Sequence, residues 1–292
     1  MSKISYFNGN YQEHTSIKVS VDDRGFVFGD GIYEVIMFNN GNFIDIDAHY
    51  ARFKRTCAFM NFGIGHNRLP ATKDQLIQIC NQLQQQNNLR DTGYFYIQVT
   101  RGDLGSRAHN APANDLGLSF LVTISEPVVI QKKWMTDGIS CITTPDIRWQ
   151  RRDVKTIQLL PNIRARQMAM DVGAEDAIFI DGVVTEATAA NLFIVNSLGE
   201  LQTHPKTNKI LGGITRYRVI ELAKQNNIIV NEGVFGLDEL FAAKEVFLTN
   251  SNSRIRPVTK IDGRAVADGK IGSVSRKIFN LYEEFIKSPL RI

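Results

Sequence analysis

The chain has 292 residues, 43% of them hydrophobic, which is enough for one or two cores at roughly 100 to 200 residues per domain. Eight prolines, 22 glycines and the lack of single-residue tracts exclude a disordered, collagenous or coiled-coil chain. The formal charge of +4 is spread over interspersed acids and bases, so no basic arm points to nucleic acid, and no window approaches the ~20 apolar residues of a membrane span.

In chain order, Asn8-Gly9 and Asn40-Gly41 are type I′ turn signals beside strand-like runs at residues 4–7 and 32–38, which predicts antiparallel hairpins. Between residues 47 and 60, Tyr50, Phe53, Cys57 and Met60 fall at helical spacing, with Arg52 on a flank of the stripe. Thr72 and Gln75 form a capping box, and Leu76, Ile79, Cys80 and Leu83 follow at i, i+3, i+4 and i+7. Residues 94–100 alternate Phe95, Ile97 and Val99 against Tyr96 and Gln98, and 118–124 reads as another strand. Residues 126–133 read as a linker between a small N-terminal α+β domain, 1–125, and a large C-terminal domain, 134–292, that includes Lys155. Beyond it come a strand at 138–143, a helix at 161–172 opened by Pro161, and a strand at 177–180 closed by Asp181-Gly182. A strand at 191–195, a helix at 214–225 after Gly212-Gly213, strands at 228–230 and 246–249, and a terminal helix at 274–286 complete the pattern. With no strict βαβ rhythm and no internal repeat, the fold class is α+β.

Cys57, Cys80 and Cys141 are odd in number and far apart, which fits neither a disulfide framework nor a CxxC pair, so a reducing cytoplasm is expected. The N-terminal MSKISYFNGNYQEH lacks the apolar stretch of an export signal. The five histidines show no zinc spacing, and no metal is expected.

Five segments carry polar groups with two readings each. Lys155 lies among cations in DIRWQRRDVKT, either a solvated charged face or an amine primed to form a Schiff base with a carbonyl. Gly212-Gly213-Ile214-Thr215 is either a plain glycine turn or a helix start whose free N–H groups hold a phosphate. The hydroxyl- and amide-rich residues 249–253 are either a plain turn after a strand or, beside a second phosphate element, a set of donors to it. Glu186, in the otherwise uncharged VTEATAAN, is a turn glutamate in water or a buried acid that needs a cationic partner. The loop with Arg101, Arg107 and His109 is surface charge or a carboxylate trap built on an Arg fork.

In order along the chain, GDGIYEV, Arg52, VTRG with SRAH, DIRWQRRDVKT, VVTEATAANLF, ILGGITR and FLTNSNS resemble the fold-type IV pyridoxal-phosphate aminotransferases, and within them the D-amino-acid branch. The resemblance runs from Tyr6 to about Ile278 and implies a two-domain α+β enzyme. It would move an amino group from a D-amino acid such as D-alanine to a 2-oxo acid such as 2-oxoglutarate. It implies pyridoxal 5′-phosphate as cofactor, Lys155 as Schiff-base lysine and proton carrier, and Glu186 as partner of the ring nitrogen. Arg52, Ile214, Thr215 and Ser251 would form the phosphate cup, Leu211 would pack on the ring face, and Tyr33, Arg107 and His109 would trap the substrate carboxylate. A homodimer is implied by the same resemblance.

Two departures stand out. Ala187, Thr188, Ala189 and Ala190 replace a stretch that is often serine-rich in the family, and Asn250 stands where a serine is common, making one phosphate contact an amide. The rivals are an aminodeoxychorismate lyase or a branched-chain aminotransferase of the same fold, against both of which the SRAH loop argues, and a noncatalytic cofactor-binding or scaffold protein.

Overall fold

The computed structural model describes residues 2–62, 70–110, 117–128 and 132–288, so residues 129–131 of the expected linker lie outside the described residues. Both Asn-Gly turns close as expected. Asn8 and Gly9 have φ of 46° and 93°, Asn40 and Gly41 of 48° and 76°, the pair of positive values a type I′ turn requires.

Contacts divide the chain into two compact units, one formed by Met1–Val128 with Val154–Gln158, the other by Val129–Asp153 with Leu159–Pro289. The residues around Lys155 therefore pack with the first unit, whereas the sequence division assigns them to the C-terminal domain. The reason is backbone pairing: Tyr33 N donates to Lys155 O at 3.1 Å, Ile157 N donates to Gly31 O at 3.0 Å, and Ile32 bridges Thr156 in antiparallel fashion.

The first unit contains β1 (Ile4–Phe7), β2 (Asn10–Glu13), α1 (Arg24–Phe28), β3 (Gly31–Asn39), β4 (Asn42–Phe43), α2 (Ile46–Phe59), α3 (Lys73–Gln86), β5 (Thr92–Thr100) and β6 (Ser119–Ser125). Its strands form one sheet in the order β2-β1-β6-β5-β3-β4, antiparallel throughout. Ile32, Ile36 and Phe38 of β3, Phe95, Ile97 and Val99 of β5, and Phe120, Val122 and Ile124 of β6 share one core with Phe53 and Cys57 of α2 and the apolar stripe of α3. The strand period of two puts Tyr33, Tyr96 and Gln98 on the opposite face, with Tyr33 directly across from Gln98.

The second unit contains α4 (Lys132–Thr136), β7 (Ile139–Pro145), α5 (Leu160–Asp171), β8 (Asp176–Ile180), β9 (Val184–Ala187), β10 (Asn191–Val195), β11 (Leu201–Thr203), α6 (Ile214–Gln225), β12 (Val230–Asn231), α7 (Leu237–Phe241), β13 (Glu245–Asn250), β14 (Arg254–Ile261), β15 (Arg264–Ala265) and α8 (Ser273–Lys287). The sheet runs β12-β11-β10-β13-β14-β7-β8-β9, with β15 on β14, and β9 pairs back onto β10 through Glu186 and Asn191. That pairing closes six strands into a ring. Both β9 and β10 are buried along their whole length, so neither shows the alternation that marks a half-buried strand. Pairing is parallel between β14, β7 and β8 and between β11 and β12, and antiparallel elsewhere, so the chain is α+β.

Asp176, at the start of β8, is fully buried. Its Oδ2 accepts from Arg256 Nη2 on β14 at 2.5 Å and from Arg166 Nη1 on α5 at 2.8 Å, and its Oδ1 accepts from Thr188 Oγ1 at 2.5 Å. Thr188 thus ties the turn after β9 to the start of β8. Asp176→Asn leaves two guanidinium groups short of a charge, one of them buried, and is expected to cost about 3–5 kcal/mol in urea unfolding. A cost below about 1 kcal/mol would mean that Asp176 does not hold the ring.

Candidate active site

Lys155 is half-buried in the first unit, with Nζ 3.9 Å from the centroid of the Tyr33 ring. Tyr33 in turn stacks on Tyr96 at 5.7 Å, and the Tyr96 hydroxyl donates to Gln98 Oε1 at 2.7 Å. Burial, reinforced by Tyr33, pushes the Tyr96 hydroxyl up to about 12, so it stays a proton donor at neutral pH. Among the described residues no carboxylate lies within ion-pair distance of Lys155 Nζ. Its cationic neighbours are each matched by acids instead: Arg148 by Asp146 and Glu186, Arg151 by Asp153, and Arg152 by Asp146 and Asp181. Arg148 and Arg152 are buried rather than solvated, so DIRWQRRDVKT is not a charged face in water.

Arg52, expected on the flank of a helical stripe, is buried on α2. Glu34 lies on the core face of β3 and accepts from Arg52 Nε at 2.9 Å, Arg52 Nη2 at 2.5 Å and His49 Nδ1 at 3.0 Å. Burial alone would raise the Glu34 carboxyl, but the Arg52 charge and the hydrogen bonds from His49 and Arg52 win and hold it far below the usual carboxylate range. Burial pushes His49 down, which leaves it a neutral donor to Glu34. The guanidinium of Arg52 is thereby held in orientation by a charged, two-point contact.

Arg107 and His109 are exposed and meet around Phe28 of α1. The Arg107 guanidinium carbon lies 5.3 Å from the Phe28 centroid, and the His109 ring meets the same ring edge-on at 5.5 Å. Arg24, also on α1, donates to Ala108 O at 2.5 Å and His109 O at 3.2 Å and pairs with Asp30, which Arg101 also clasps. Arg101 therefore supports the loop rather than opening its side chain to a ligand. Tyr33 contacts Lys155 and Tyr96, and no contact among the described residues joins it to Arg107 or His109.

In the second unit, Glu186 is buried on β9. Its Oε1 accepts from Arg148 Nη1 at 2.6 Å, and its Oε2 accepts from Asn191 Nδ2 and from Leu211 N, both at 3.0 Å. A carboxylate offers about four acceptor positions, so these three donors leave one open. Burial pushes the Glu186 carboxyl up, and the Arg148 charge and the Leu211 N–H pull against that rise. Leu211 contributes its backbone to this cluster, and Asn191 Nδ2 also donates to Leu211 O at 2.8 Å. The helix start behind it is built as expected. Gly213 caps α6, Ile214 and Thr215 are buried in its first turn, and their N–H groups have no partner within the helix. A Cβ at Gly213 would collide with Asn191 Oδ1, so glycine here lets the turn approach the Glu186 cluster.

Asn250 does not behave as a free phosphate donor. Its Oδ1 accepts from Ser253 N and Oγ, and its Nδ2 donates to Ala189 O, so the amide ties the turn that carries the half-buried Ser251 to the turn after β9. Three residues of the cluster carried no individual signal in the sequence: Arg148, Asn191 and Thr249. Thr249 sits directly across from Asn191 in the β10–β13 pair, hence on the same face, and its buried Oγ1 has no hydrogen-bond partner. An orphaned hydroxyl there is a donor awaiting an acceptor.

The model for amino-transferase class IV matches residues 31–261. The chain is 37% identical to a D-alanine aminotransferase of Bacillus licheniformis, over 97% of this chain and 96% of that one. It is 38% identical to one of Listeria innocua, over 96% and 94%. Among solved structures, a branched-chain amino acid aminotransferase from Escherichia coli superposes with a TM-score of 0.88 at 24% identity, over 98% of this chain and 95% of that one. Another branched-chain amino acid aminotransferase, solved with pyridoxamine 5′-phosphate, gives 0.85 at 22%, over 98% and 94%. At these identities the structural likeness speaks for the fold alone.

The Glu34 cluster has a pH signature. A carboxyl held below its unfolded value stabilises the fold fully above about pH 4.3, and that stabilisation shrinks as pH falls toward and through the folded value. Glu34→Gln is expected to cost about 3–5 kcal/mol at pH 7 and progressively less below pH 4, measured by denaturant unfolding across that range. A cost that does not change with pH would remove Glu34 as the ionised anchor of Arg52.

Proposed function

The chain belongs to the class IV amino-transferases, and we propose that its two polar clusters serve the transfer of an amino group from D-amino acids, D-alanine among them, to a 2-oxo acid such as 2-oxoglutarate. It is a pyridoxal-phosphate-dependent D-amino-acid transaminase. The near full-length likeness to D-alanine aminotransferases carries this reading, because branched-chain enzymes resemble the chain in fold at much lower identity.

The residues fit the cofactor: an amine without an acid partner, a buried acid with one acceptor position left, and an orphaned hydroxyl near a helix start. Bound through Lys155, pyridoxal 5′-phosphate supplies an electron sink that stabilises negative charge at the substrate Cα. With the cofactor bound, Lys155 Nζ would be its point of attachment and the group that takes up the proton from the substrate Cα. Glu186 would hold the ring nitrogen, and Leu211 would line the ring. Arg52, the Ile214 and Thr215 amides, the Thr215 hydroxyl and Ser251 would hold the phosphate, joined by Thr249 Oγ1, while Asn250 shapes the turn that carries Ser251. Tyr33, Arg107 and His109 bind the substrate carboxylate and so set the handedness of the Cα that faces Lys155. The protein works as a homodimer in the cytoplasm. Its three free, buried cysteines suit a reducing compartment.

Lys155→Ala is expected to abolish covalent attachment of the cofactor, read as the loss of the mass added by borohydride reduction. D-alanine is expected to be deaminated with L-alanine nearly inert, and Arg107→Ala to raise the KM for D-alanine about tenfold or more, since a charge-assisted hydrogen bond is worth ~1.5–3 kcal/mol. Steady-state kinetics on both enantiomers decide this. A preference for L-alanine would move the chain to the branched-chain or lyase branch, and parental D-alanine kinetics in Arg107→Ala would remove Arg107 from the carboxylate trap.

A further inference from the structure

Arg148 occupies an unusual position in the second unit. Its side chain is buried, its guanidinium lies 4.3 Å from the Phe179 centroid, and its donors divide between two acids. Nε and Nη2 grip Asp146 Oδ1 and Oδ2 at 2.9 and 2.7 Å, while Nη1 reaches Glu186 Oε1 at 2.6 Å. Asp146 is itself fixed by Thr185 Oγ1 on β9 at 2.9 Å and lies 3.3 Å from Arg152 Nη1, and Arg152 also pairs with Asp181. The result is a line of alternating charge, Arg152, Asp146, Arg148, Glu186, ending on the carboxylate oxygens.

We propose that Arg148 is a positioning residue of the reaction, the fixed cation that keeps buried Glu186 an ionised acceptor for the cofactor ring nitrogen, with Asp146 holding Arg148 in place. The inference rests on the assignment of Glu186 to that nitrogen and goes beyond it: the partner of the ring is then a Glu186–Arg148 pair rather than a lone acid. Among the described residues, the groups that touch Glu186 or act on its charge support the division of labour. Asn191 and the Leu211 N–H are neutral donors that orient Oε2, Asp146 is an anion that disfavours a second negative charge, and Arg148 alone among them supplies a compensating positive charge. Burial pushes the Glu186 carboxyl up, and with Arg148 removed Asp146 would push it further. The bidentate grip on Asp146 and the Phe179 ring leave the guanidinium little freedom to swing away, so its charge stays at Oε1.

The test uses the full chain loaded with pyridoxal 5′-phosphate, comparing the parent with Arg148→Met, Arg148→Lys, Glu186→Gln and the double variant Arg148→Met/Glu186→Gln. Arg148→Met is expected to keep the cofactor attached to Lys155, shown by borohydride reduction and mass. Its cofactor absorption band should change across neutral pH where the parent's is constant. Its kcat for D-alanine should fall about tenfold to a hundredfold with KM within about threefold of the parent. The double variant should match Glu186→Gln, because Arg148 has nothing to act on once Glu186 is neutral. Arg148→Lys keeps the charge without the fork and should recover part of kcat and of the constant band. If Arg148→Met does not fold, Arg148→Gln, which also removes the charge, takes its place with the same expected losses. A parental band and kcat in Arg148→Met, or in Arg148→Gln where Met does not fold, or single-variant losses that multiply in the double, would overturn the role of Arg148 and leave Glu186 in place. A Glu186→Gln variant with parental band and kcat would instead overturn the assignment of Glu186, and this inference with it.

Discussion

A carboxylate moved out of water loses several kcal/mol of solvation, and it keeps its charge only where fixed donors and a cation replace that water. Glu186 faces this constraint on a strand buried along its whole length. Much of the second unit answers it. The β9–β10 pairing brings Asn191 opposite Glu186, the turn before α6 delivers the Leu211 N–H, and the segment after β7 delivers Arg148, itself anchored by Asp146. Gly213 is small because Asn191 Oδ1 lies where a Cβ would go, so the helix start and the acid cluster are parts of one packing solution.

The first unit solves the same problem in the opposite sense. There the group to be positioned is a cation, Arg52, and the buried acid Glu34 is the means, with neutral His49 completing its hydrogen bonds. Fixing Arg52 from the core side of the sheet restricts its rotamers, and in the proposed role as a phosphate ligand that would lower the entropic cost of binding. The loop with Arg107 and His109 is held differently. It leans on α1 through Arg24 and Phe28 at the surface, and so depends less on the core.

Sequence legibility followed the local physics of each segment. The Asn-Gly turns, the Thr72–Gln75 capping box and the Gly213 helix start are decided by neighbouring residues, and the structure shows each one. Strand β9 went unread because four consecutive buried residues have no period, and β14 because Arg254, Arg256 and Pro257 disguise a strand whose Arg256 is neutralised by Asp176 far away in sequence. The alternation of β5 was visible; that of β3 hid one clue, since Glu34 shares a face with Ile32, Ile36 and Phe38 and a lone acid there demands a buried cation. Arg52 was recognised by resemblance, but its partner was not. Arg148 could not be told from Arg151 and Arg152 by spacing, because what distinguishes the three is which acid each meets in the fold. The contacts of Asn250 were hidden for the same reason: its amide is engaged by Ser253 and Ala189, and neither contact follows from its own motif alone.

In the proposed role of Arg148, buried Glu186 remains charged because that fixed arginine stands beside it. Infrared difference spectroscopy of the full chain with 13C-carboxyl glutamate, parent minus Glu186→Gln at pH 7, reads that charge directly. The expected result is one ionised-carboxylate band assigned to Glu186 with no protonated-carboxyl band. A protonated-carboxyl band at pH 7 would contradict the account.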